Sequence, residues 1–174
     1  MIMRTTALFG MMGLVTGSFT PSSGLPVPYL LIDMMQMKKK RTVFVEYYDC
    51  TANGAAAPEL DQLKEKYACI PDYNEKPAWY IEERMPCSLI KGSTDGNEDS
   101  LCRMVRESVC AYAALCKAAP VSEENLKGLR YFQRRMVIEG NPSSVTMEKM
   151  LGKEGAKAFF LNVVMPVNPP GQSS

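Results

Sequence analysis

The chain has 174 residues, 46% hydrophobic and 22% charged, with 20 Lys and Arg against 19 Asp and Glu for a net charge of +1. That length makes one domain of ordinary size, and the even charge balance excludes a polycation that holds nucleic acid by bulk charge. Histidine is absent, which excludes Ser-His-Asp and Cys-His catalysis, removes the commonest metal ligand, and leaves Lys, Asp and Glu chemistry.

Charge is unevenly placed: residues 1–41 carry five bases against one acid, 42–100 five against twelve, and 101–174 ten against six. The first section reads as an N-terminal arm. Arg4 precedes an apolar run from Ala7 to Val15, shorter than the about 20 residues a membrane span needs. With Gly17 and Ser18 behind it, the run resembles a secretory or organelle-targeting segment. The stretch TPSSGLPVP, residues 20–28, forbids a long helix. YLLIDMMQM, residues 29–37, is a short helix or strand that Asp33 interrupts and Lys38, Lys39, Lys40 and Arg41 close. An apolar arm ending in bases suits a partner protein or an anionic membrane surface, although an ordinary solvated flank accounts for the bases as well. Phe9, Leu14, Leu25, Tyr29 and the four bases are therefore the candidate partner contacts of this section.

Residues 42–165 read as a single small cysteine-containing domain, and 166–174 as an extended Pro-rich tail. TVFVEYY, residues 42–48, is β-branched and aromatic, the strongest strand in the sequence, but its only evident internal partner is the short run before it. ELDQLKEKY, residues 59–67, is a short helix with acids at its start and bases at its end. Trp79, the only tryptophan, lies with Tyr80 and Ile81 in a proline-broken stretch and needs an apolar surface. Residues 91–100 are a solvated loop.

The longest helix is expected over 98–117, where Leu101, Val105, Val109, Tyr112 and Cys116 recur at steps of three or four. Pro120 follows its end, and a second helix over 122–138 carries Leu126, Leu129, Phe132 and Met136 on one face. The short connection makes the two an antiparallel pair. Further helical pieces run from Pro142 to Leu151 and from Glu154 to Val163, parted by Gly152. The expected fold is thus mainly α with one or two short strands (α+β at most), built on this helix pair, with long irregular Pro/Gly-rich arms at both ends.

Six cysteines, Cys50, Cys69, Cys87, Cys102, Cys110 and Cys116, are an even number with no CxxC spacing. Either buried thiols or disulfides fit, and disulfides would pin the irregular segments around Pro71 and Pro86. Cys102 and Cys116 stand ~21 Å apart along an unbroken helix, so any bond made by the three helical cysteines would go to Cys50, Cys69 or Cys87.

Arg130, Arg134 and Arg135 cluster with Tyr131 and Phe132. RNA recognition uses arginines on phosphate and aromatics on bases, but Phe132 belongs to the apolar helix face, so a solvated or acidic-partner surface accounts for the cluster better. Paired carboxylates at Glu82 and Glu83, or calcium held by residues 95–99, lack the required geometry. Phosphate-binding glycine motifs are absent. No catalytic residue, metal, cofactor or small-molecule substrate is expected. The chain reads as a non-catalytic accessory or scaffold subunit of a larger, membrane-associated assembly, in a mitochondrion or similar organelle. The alternatives are a free-standing secreted disulfide protein and an RNA-contacting subunit.

Overall fold

In the computed structural model, residues 1–7, 12–21, 25–51, 57–94, 96–117, 123–141 and 144–167 are described. Five strands, β1 (Ile2–Ala7), β2 (Met12–Phe19), β3 (Tyr29–Met37), β4 (Lys40–Tyr48) and β5 (Leu89–Ser93), form one antiparallel sheet in chain order. The helices are α1 (Pro58–Lys66), α2 (Trp79–Glu82), α3 (Glu98–Lys117), α4 (Glu123–Ile138) and α5 (Ser144–Phe159), with a π-helical turn at Phe160–Val164.

The sheet is covered on both faces. Leu30, Ile32, Val43, Val45, Tyr47 and Leu89 pack on one side against Leu60 of α1 and Leu101, Met104 and Tyr112 of α3. Tyr29, Leu31 and Tyr48 pack on the other against Leu129, Phe132 and Met136 of α4, and against Phe160 and Met165. The two-residue strand period divides each strand between these layers. Because both faces are covered, β3 begins with four consecutive buried residues, Tyr29 to Ile32. That burial pattern reads in sequence as a continuous apolar run with no alternation.

The expected mainly α fold is therefore corrected to a mixed α/β fold, in which residues 1–41 supply three strands and the start of a fourth. β4, expected to lack a convincing partner, lies between β3 and β5, paired from Tyr29↔Tyr48 to Met37↔Lys40 on one side and from Arg41↔Ser93 to Val45↔Leu89 on the other. Two signals hid this. Asp33 looked like an interruption, yet it sits in register opposite Thr16 and Phe44. Gly13 and Gly17 weaken the strand pattern of β2, and Gly17 lies so close to Phe19 that a Cβ would stand 3.1 Å from its ring.

The helix readings fare better: α1, α3 and α4 lie within a residue or two of their expected spans. The last two pieces are joined into α5, kinked at Gly152 (φ 72°). α4 crosses the chain at the end of β4 so closely that a Cβ on Gly128 would lie 2.2 Å from the Cys50 carbonyl oxygen.

The disulfide expectation is also corrected. All six cysteines are free thiols, with Cys50 and Cys87 buried and Cys69, Cys102 and Cys110 exposed. The membrane-associated reading is corrected as well: the described parts of the apolar run, Ala7 and Met12 to Val15, lie in β1 and β2, and among the described residues no helix is long and apolar enough to cross a membrane.

Candidate functional site: a cavity between sheet and C-terminal helices

The second sheet face is apolar near α4 and polar beyond it. Along β2 and β3, Thr16, Ser18, Tyr29, Leu31 and Asp33 alternate onto this face, and α4, α5 and the π-helical turn arch over them. Between the layers lies a cavity of about 800 Å³, within the size range of sites for cofactors and drug-sized ligands. Thr16, Tyr29, Leu31 and Asp33 form its floor, Gln133, Met136 and Val137 of α4 one wall, and Met147, Ala156 and Phe160 part of the other. The charged side chains of Arg130, Arg134, Lys153, Lys157, Glu148 and Glu154 also line it.

Asp33 is the one ionisable group on the floor with an ordinarily acidic side chain. Thr16 Oγ1 donates to its Oδ1 at 2.5 Å, and among the described residues no cation pairs with it. Burial raises its pKa above the usual carboxylate range, against the Thr16 hydrogen bond, which lowers it. A carboxyl in this setting retains its proton to higher pH than an exposed one, and can donate a hydrogen bond or a proton to a bound molecule. Beside it, Tyr29 is fully buried. Its hydroxyl lies 3.0 Å from Ser18 Oγ, and because Ser18 donates to the Val164 carbonyl, Tyr29 is the donor in this pair.

On the same sheet face, beside the cavity floor and in register with Leu31, lies a fully buried acid. Glu46 on β4 pairs with Arg84 Nη2 at 2.6 Å and accepts from the Tyr48 hydroxyl at 2.9 Å. Arg84 also forks onto Glu75 at 2.5 and 3.0 Å. Burial pushes the Glu46 carboxyl up to about 7, against the pull of Arg84. Burial works against the Arg84 charge too, but the hydrogen bonds to Glu75 and the charge of Glu46 outweigh it and raise its pKa. With the Arg84 guanidinium shared by Glu46 and Glu75, no buried cation among the described residues pairs with Asp33.

The residues singled out from the sequence scatter. Tyr29, Arg130 and Arg134 meet at the cavity. Arg135 turns away, stacking 4.4 Å over Trp79 and bonding Glu83 and Glu139. Leu14 and Leu25 are half-buried, Leu25 against the first core layer. Lys38 and Lys39 form the β3–β4 turn, Lys40 opens β4, and Arg41 pairs with Glu98 at 2.9 Å. Phe9 lies outside the described residues. Among the described residues no cluster of three metal-ligating acids or thiols occurs. Sequence reasoning missed Asp33, Thr16, Gln133 and Met147. The signal for Asp33 was present as a lone acid amid eight uncharged residues of YLLIDMMQM.

No family profile matches the chain, and no curated protein matches it in sequence. Solved structures share its fold. One is the selenomethionine form of phytochromobilin synthase from tomato in complex with biliverdin, 9% identical, with a TM-score of 0.64 over 98% of this chain and 76% of that one. At that identity the likeness is one of fold.

Proposed function

We propose that the cavity binds an elongated, largely apolar organic acid of the open-chain tetrapyrrole class, and that Asp33 is the proton-bearing contact at its centre. The observation that carries this reading is a half-buried carboxyl, without a cationic partner among the described residues, on the floor of a cavity of about 800 Å³. The apolar walls suit a conjugated body, and a protonated Asp33 donates to a ligand carbonyl or protonates a ring nitrogen. Arg130, Arg134, Lys153 and Lys157 line the same cavity, form no ion pair among the described residues, and suit ligand carboxylates. The fold likeness supplies the probe, since the tomato enzyme was crystallised with biliverdin. The accessory-subunit reading drew in part on an unsupported arm and a partnerless strand, and the described residues of both belong mostly to the sheet.

Equilibrium titration with biliverdin, followed by visible absorption, tests the proposal. Saturable one-to-one binding is expected, with an altered spectrum and weaker binding in Asp33→Asn. Uptake that never saturates, or an Asp33→Asn titration identical to wild type, would contradict it.

A further inference from the structure

The first half of α5, Ser144–Leu151, is held differently from everything else around the cavity. It stands between two glycines in left-handed backbone, Gly140 at φ 91° and Gly152 at φ 72°. A Cβ on Gly152 would meet nothing within 4 Å, so glycine is required there for its backbone angles alone. The flanks are pinned. On one side Trp79 Nε1 donates to the Gly140 carbonyl at 2.9 Å, and Asn141 Nδ2 donates to that of Met136 at 3.2 Å. On the other side Gln133 Nε2 donates to the Met165 carbonyl at 2.5 Å, and Ala156, Phe160 and Met165 are buried.

Between these anchors, no hydrogen bond or ion pair among the described residues ties the side chains of 147–151 to the rest of the protein. Two turns of helix are marginal in water without tertiary packing. Yet Val145, Met150 and Leu151 are 67%, 68% and 47% exposed, while Ser144, Met147 and Glu148 line the cavity. A short helix that covers a cavity, leaves Val145, Met150 and Leu151 largely in solvent and lies between two glycine pivots sits at the low end of local stability.

We propose that Ser144–Leu151 is a lid, hinged at Gly140 and Gly152, that closes on the ligand and brings Met147 against it. The inference rests on the reading of the cavity as a ligand site. Closure lays a flexible thioether on the ligand body and removes water from the side of the cavity opposite Asp33.

Hydrogen exchange of the full chain, with and without biliverdin, tests the lid. In the free protein, 144–151 exchanges about tenfold or more faster than α4, and biliverdin slows it by a similar factor while α3 is unchanged. Gly152→Ala disfavours the left-handed pivot, so ligand dissociation quickens several-fold with α3 exchange as in wild type. Biliverdin binding that leaves 144–151 exchange unaltered, or an unchanged dissociation rate in Gly152→Ala, would overturn the proposal. Absence of biliverdin binding would overturn the reading of the cavity. The free-protein comparison then decides the lid by itself, since a segment 144–151 as protected as α4 rules it out.

Discussion

At the scale of single residues, the sheet face under α4 carries two acids in different settings, Asp33 half-buried and Glu46 fully buried. Burial raises the Asp33 pKa, so its neutral form is favoured in the folded state. A raised carboxyl contributes stability at pH values below its unfolded pKa and loses it as pH climbs through the folded value. Asp33→Asn is therefore expected to raise Tm more at pH 8 than at pH 4.5, by about 2–4 °C for each kcal/mol relieved. Thermal melts at the two pH values check it. Arg84 behaves oppositely. Removing it as Arg84→Met strands Glu46 with the Tyr48 hydroxyl alone, at a cost of about 3–5 kcal/mol in chemical denaturation. Arg135→Met removes solvent-facing pairs and the stack on Trp79, and is expected to cost far less than Arg84→Met in the same measurement. The thiols divide by burial, which holds Cys50 up at about 12 and Cys87 at about 11. Cys69, Cys102 and Cys110 are exposed and are expected to react with an aromatic disulfide reagent in the native state, Cys50 and Cys87 only on unfolding.

At the scale of elements, what was legible depended on whether one face of an element is wet. α3 and α4 each keep a solvated side, so their apolar stripes stand out at helical spacing and their spans are readable. β3 does not, because both of its faces are covered where the chain enters the sheet. β2 carries Gly13, Thr16, Gly17 and Ser18, small or polar residues that signal a loop until the cavity explains why Thr16 faces it. Long-range pairing decides such strands, and composition alone points the wrong way. The packing of α4 on the end of β4 gives a direct test. Gly128→Ala drives a Cβ into the Cys50 backbone and is expected to cost about 1–3 kcal/mol or more, because backbone cannot swing aside. Gly13→Ala meets nothing within 4 Å at an ordinary φ and is expected to gain about 0.4–1 kcal/mol. Urea denaturation of the two variants separates a glycine required by contact from one that is not.

At the scale of the whole molecule, the N-terminal forty residues form the middle and one edge of the sheet and the floor of the cavity. Fold and site are therefore one arrangement: β2 and β3 place Thr16 and Asp33, α4 walls the space above them, and α5 covers it. The candidate site was less legible than the helices because it is assembled from residues 16, 33, 133 and 147, which no local motif links. Asp33 alone gave a hint, and only the packing around it raises the pKa of a lone acid in an apolar run. The most direct test is a map of amide shifts in 15N-labelled protein as biliverdin is added. The account predicts perturbations centred on Thr16, Asp33, Gln133 and Met147, with α1 and α3 on the far face of the sheet unmoved. Shifts centred on α1 and α3, or none at saturating biliverdin, would contradict it.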